Sequence, residues 1–170
     1  MIFGFTAEDS PLPHFTLDCA DHGDESYAFH LDLMPRVELA THVPYMDEVF
    51  LPLTPFYETG HATEGMWATG TTPRQFAMMS PWMLVNFANE EAFRKIGDVV
   101  MDYANHWISV INTGLSPEVQ ATLADTDLTE RDAGVRYNLF SPSIDPVWGR
   151  VDAMIGPEGS ELIRSNLQLL

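Results

Sequence analysis

Cysteine and lysine are almost missing from this chain: Cys19 and Lys95 are the only ones among 170 residues. One cysteine excludes an intramolecular disulfide, and with six scattered histidines it leaves no zinc-ligand spacing. Positive charge is scarce, with eight Lys and Arg against 25 Asp and Glu and a net charge of −17. Phosphate groups are held by clustered cations, so this balance argues against nucleic acid and against anionic membrane surfaces as partners. No apolar run approaches the ~18–20 residues that cross a bilayer. The opening MIFGFTAEDSPLPHF lacks the basic start and apolar stretch of a signal peptide. Repeats, low-complexity tracts and linkers are missing too. These absences predict one soluble domain over residues 1–170, in a reducing compartment.

Apolar residues make up 45% of the chain and aromatics 11%, enough for a packed core. The acid excess reads first as a device for solubility or high salt. It also makes the few arginines (Arg36, Arg74, Arg94, Arg131, Arg136, Arg150 and Arg164) stand out as candidate anion contacts.

Residues 14–20 and 26–34 alternate polar and apolar side chains, which predicts two strands. The stretch 21–25, Asp-His-Gly-Asp-Glu, is turn material between them. Met1 to Phe5 reads as an edge strand, Val43 to Phe50 as a short helix, and Leu51 to Thr72 as a Pro- and Gly-punctuated loop. Gln75–Met79 and Met83–Phe87 read as further strands broken at Ser80-Pro81. The second half reads as helical. Asn89 is an N-cap followed by Glu90 and Glu91. Phe93, Ile96, Val100, Tyr103, Trp107 and Val110 recur at helical spacing. Gly114 ends that helix and Ser116-Pro117 opens another. A further helix is expected from Asp145-Pro146 to Gly156, and a last one over Pro157–Leu170. Strands first and helices after predict an α+β sheet covered by helices.

Alternation puts His14, Thr16 and Asp18 on one face of the hairpin with His30 and Asp32. Phe15, Leu17, Phe29, Leu31 and Leu33 form an apolar floor on the other. With a turn over 21–25, Asp18 falls opposite Ala28 and diagonal to His30. Such a polar face is either ordinary solvated sheet or a proton-donating pocket. In the second case a partly buried Asp beside a His hands protons to a bound substrate.

The run PHFTLDCADHGDESYAFHLDLMPRVELATHVPYMDEVF resembles the central hairpin of the red chlorophyll catabolite reductases. The matching positions are Gly4-Phe5, Asp18, Leu31-Asp32-Leu33, Arg36, Glu38-Leu39 and Tyr45. Ser80-Pro81 is similar to a Ser-Pro that these enzymes share with the ferredoxin-dependent bilin reductases. Arg131-Asp132, Arg136, Asp145-Pro146 and Gly156 resemble the C-terminal block of both. The resemblance implies a three-layer α/β/α sandwich with a central antiparallel sheet, in a monomer or homodimer. It implies reduction of a linear tetrapyrrole, such as biliverdin or a red chlorophyll catabolite, with electrons delivered singly by reduced ferredoxin and no tightly bound cofactor or metal. Asp18, His30 and Asp145 match catalytic positions; Arg74, Arg136, Asp32 and Ser80 are the candidate substrate contacts. The alternative is a bilin-binding or delivery protein of the same fold without the chemistry. The families also carry strands and a helix before the position of Gly4, and the chain reads as lacking that part. The implied compartment is cytoplasmic, or the plastid stroma in a plant or alga.

Overall fold

The computed structural model describes every residue except Gly70 and Leu170. Strands β1 (Ile2–Gly4), β2 (His14–Asp21) and β3 (Tyr27–Met34) form a meander. Helices α1 (Val43–Val49) and α2 (Thr54–His61), joined by a tight turn at Leu51–Leu53, lead to β4 (Met66–Ala68). Helix α3 (Pro73–Phe76) precedes β5 (Leu84–Ala88). Five helices follow: α4 (Glu90–Thr113), α5 (Pro117–Thr122), α6 (Leu128–Leu139), α7 (Val147–Ile155) and α8 (Pro157–Gln168). The sheet order is β1-β2-β3-β5-β4 and every neighbouring pair is antiparallel.

The hairpin is the predicted one with its turn moved by a residue. Asp21 pairs with Tyr27, so the loop is 22–26 rather than 21–25. Gly23, Asp24 and Glu25 all take positive φ, and the Asp21 carboxylate accepts from the Gly23 N–H at 2.8 Å. Those left-handed residues make the reversal, so Asp21 stays in the ladder. Asp18 therefore stands directly opposite His30, not diagonal to it. The change moves the pairing by an even number of positions, so each side chain keeps its predicted face.

On one face Phe15, Phe29, Leu31, Leu33 and Leu84 are buried against Ile96, Val99 and Tyr103 of α4. Asn89 caps α4 by accepting from the Ala92 N–H at 2.9 Å. Phe93, Val100 and Trp107 are only partly buried at its margin. Trp107 packs closely against Gly4: a Cβ there would sit 2.6 Å from the indole, and the indole N–H donates to the Pro13 carbonyl at 2.8 Å. On the opposite face Phe3, Phe5 and Met34 pack with Leu139, Phe140 and Trp148 from the C-terminal helices. Helices thus cover both faces of an antiparallel sheet, the expected three layers.

Three segments depart from expectation. Gln75–Met79 is no strand: Thr72 and Gln75 form a capping box and Pro73 takes the first helical turn of α3. The supposed loop 51–72 holds α2 and β4, with Pro52 and Pro55 again starting helical turns. Gly70 within it lies outside the described residues, as does Leu170 beyond α8. Helix α6 has no apolar stripe to announce it, because the residues it buries include Asp132 and Arg136.

Candidate functional site

The polar face of the sheet divides into two parts. At the Met34 end, it closes over a network of buried charges. His14 is 1% exposed. Its Nδ1 accepts from the Thr6 backbone N–H at 3.0 Å, and a backbone N–H can only donate. The ring proton therefore sits on Nε2, which donates to Asp132 at 2.6 Å. Burial, first, and Arg36 hold this imidazole below its ordinary pKa, against the pull of Asp132. Arg36 lies 3.5 Å from the same carboxylate and Arg136 3.8 Å. Burial pushes the Asp132 carboxyl up, but the His14 hydrogen bond and the two guanidinium charges together bring it below the usual range.

Arg36 also donates to Thr6 Oγ1 at 2.9 Å and to the Glu8 carbonyl at 2.6 Å, holding the segment between β1 and β2. Arg136 lies over the Phe5 ring at 3.9 Å and donates to the Leu167 carbonyl at 2.6 Å, which closes the end of α8. Asp32, wholly buried beside this network, accepts from the Ser80 N–H at 2.9 Å and the Ser80 hydroxyl at 2.5 Å. Desolvation, only partly offset by these bonds, raises its carboxyl to about 7.

Toward the hairpin turn the face is less closed. Asp18 is half-buried, and burial raises its carboxyl above the ordinary value. Opposite it, the His30 Nε2 is shielded from solvent and has no hydrogen-bond partner. Desolvation pushes that ring down to about 4, so it is neutral at physiological pH. Val85 pairs with His30 and Phe87 with Ala28, so both share this face, and Phe87 stacks on Trp67 at 5.9 Å. Next to Val85 opens a cavity of about 310 Å³, lined also by Tyr57, His61, Phe76 and Ser80.

Asp145 comes to this region from the loop before α7. Its carboxylate accepts from the Val147 N–H at 2.9 Å. Burial and the charge of Asp18 raise its pKa, with the Val147 bond opposing. Arg74 is exposed and donates to the Ser143 carbonyl at 2.9 Å, two residues from Asp145.

The fold therefore sets Asp18 opposite His30 on the sheet face, puts Asp145 where it feels the charge of Asp18, and ties Arg74 to the loop that carries Asp145. Asp32, Ser80 and Arg136 are instead engaged in buried internal bonds, although Ser80 also borders the cavity next to Val85. Sequence reasoning missed the His14–Asp132 pair, whose members are 118 positions apart. The only local hint was an unexplained histidine on a strand beside a Thr and an Asp. At the Met34 end the face is not ordinary solvated sheet, since His14, Thr16, Asp32 and Met34 are all at or below 1% exposure. Among the described residues no cluster of His, Cys, Asp and Glu could hold a metal ion, and no helix is long and apolar enough to cross a membrane.

The class this architecture defines is an antiparallel sheet between two helical layers with acids and an imidazole on its second face. That fold is shared with the selenomethionine-labelled phytochromobilin synthase from tomato, solved in complex with biliverdin, at a TM-score of 0.70. The superposition covers 95% of this chain and 56% of that one, at 15% identity. The chain thus spans a little over half the length of its structural neighbour, and at that identity the likeness is one of fold. No protein-family model matches the sequence, and neither does any curated protein.

Proposed function

We propose that this protein binds a linear tetrapyrrole against the hairpin end of the polar sheet face and reduces it by two single electrons and two protons. The observation that carries the reading is the register: Asp18 faces His30 across adjacent strands, and Asp145 comes to the same region from the C-terminal layer. It is supported by the fold's likeness to a protein whose structure contains biliverdin. Half-buried carboxyls with raised pKa values are suited to storing and donating protons.

In this reading a low-potential one-electron carrier of the ferredoxin class delivers each electron. Each pigment radical or anion so formed takes a proton from Asp18 or Asp145, and a carbon–carbon double bond becomes a CH–CH single bond. Solvent then reprotonates both carboxylates. His30 is the positioning group: held neutral, it offers its unpartnered Nε2 to a polar end of the pigment but supplies no proton. Arg74, exposed beside the Asp145 loop, is the cation best situated for a propionate. Asp32 and Ser80 act by fixing the turn that borders the cavity.

A second reading, a pigment-binding protein without the chemistry, is favoured by the charge distribution. Among the described residues, Arg94, Lys95 and Arg164 pair with neighbouring acids, and Arg36 and Arg136 are buried. Little positive surface remains for an acidic electron carrier. Anaerobic incubation with biliverdin, ferredoxin and a ferredoxin reductase decides between them. Wild type is expected to redshift bound biliverdin and then reduce it. Asp18→Asn and Asp145→Asn keep shape and hydrogen bonding but store no proton, so each should bind pigment and turn over ~10²–10⁴-fold more slowly. A pigment radical should accumulate, visible by electron paramagnetic resonance. Full turnover in Asp18→Asn would refute the mechanism. Binding without reduction by any low-potential donor would leave the second reading.

A further inference from the structure

Away from the Asp18–His30 pair, a cavity of about 420 Å³ lies between α6, the segment following β3 and the turn before Pro81. Its walls are mostly apolar, with Leu39, Met46, Met78, Met79 and Val135 contributing. Flexible methionine side chains adapt their packing to irregular guests. One cation, Arg131, lines this cavity. The Arg131 Nε is buried and has no hydrogen-bond partner, and Arg131 forms no ion pair among the described residues.

That is unexpected here. With 25 acidic against eight basic residues, carboxylates are abundant, and every buried arginine described above has found Asp132. Arg131 instead has a like charge for company, since its field disfavours the charge of Arg36. The half-buried Arg131 charge thus lacks a counter-ion, which an anionic head group in the cavity would supply. Glu38 also borders the cavity, but it is an exposed side chain and leaves Arg131 without an ion pair.

We propose that this cavity is a binding site for a small amphipathic carboxylate, its head on the Arg131 guanidinium and its apolar body between Met46, Met78 and Val135. Asn138 on the same wall offers a second polar contact for the head. The inference is separate from the pigment reading: Met79 and Pro81 also border the cavity beside Val85, but Arg131, Val135 and Asn138 do not.

Decanoate and decan-1-ol, which differ only in the head group, are the probes, titrated calorimetrically into the full chain. Decanoate should bind at a single site, and decanol at least ~10-fold more weakly. Arg131→Met keeps an apolar stem without the charge and should lower decanoate affinity ~10–100-fold while leaving decanol unchanged. Gly134 lines the same wall, with open space where a Cβ would sit, so Gly134→Leu adds bulk to the cavity and should weaken both probes. Saturating decanoate should leave a biliverdin titration unmoved. Equal affinity for the two probes, undiminished decanoate binding in Arg131→Met, or no decanoate binding at all would overturn the proposal. So would one-for-one displacement of decanoate by biliverdin, which would make the cavity part of the pigment site.

Discussion

Replacing Asp32 by asparagine should change how stability depends on pH more than how large it is. Asp32 is wholly buried, and its partners are the Ser80 N–H and hydroxyl, with no cation in ion-pair reach among the described residues. Burial lifts its folded pKa to about 7 from an ordinary 3.8. A carboxyl whose folded pKa lies above its unfolded one favours the folded state fully below the unfolded value. It loses that advantage as pH rises through the folded value. Three units at ~1.4 kcal/mol each give a penalty of ~4 kcal/mol once the pH passes 7. The substituted asparagine would still accept from the Ser80 N–H, and its amide could donate to the Ser80 oxygen, so the exchange costs about one reversed hydrogen bond, ~1 kcal/mol. Wild type and Asp32→Asn should therefore be nearly matched at pH 5, with the variant ahead at pH 8. Across that range the gap should swing by ~3 kcal/mol, because part of the penalty is already present at pH 5. Urea unfolding of both proteins at pH steps measures it. The depressed imidazoles His14 and His30 lose stability in the opposite sense, as pH falls, but they are common to both proteins and cancel in the difference. A gap constant within ~1 kcal/mol from pH 5 to 8 would refute the reasoning.

Asp132→Ala strands two buried guanidinium groups and an imidazole donor, and should cost ~3–5 kcal/mol in the same unfolding assay. An unchanged midpoint would mean that Arg36 and Arg136 find other acceptors. Gly4→Ala puts a methyl 2.6 Å from the Trp107 ring, so the indole must move, at ~1–3 kcal/mol and with a shift in tryptophan emission. Wild-type emission and stability in that variant would contradict the close packing.

What could be read from the chain beforehand follows from the range over which each feature is encoded. The hairpin and α4 were legible because their alternating and helical periodicities are local and their buried sides are apolar. Helix α6 was not, since it turns Asp132 and Arg136 inward and so carries no apolar rhythm. The short α2 and α3 are begun by prolines, which also mark loops, and only the cap at Thr72 separates the two meanings. Asp18 and His30 could be paired from one hairpin, to within the placement of its turn. Asp145 came only with the family resemblance, and the bond of Asp32 to Ser80 spans 48 positions with nothing between to announce it. Arg136 shows the limit of reasoning from scarcity: a rare cation in an acidic chain is as valuable inside as at a ligand.

The sheet's margins have a consequence of their own. Strand β1 pairs only with Phe15 to Leu17, so the outer edge of β2 beyond Leu17 has no partner strand among the described residues. Exposed ladders of this kind invite another chain to add itself, and proteins deter this with charge. Here the open stretch and its turn carry Asp18, Asp21, Asp24 and Glu25, so an approaching copy of the same edge meets its own negative charge. Asp18 thereby helps to keep molecules apart, and neutralising it removes one of the guards against self-association.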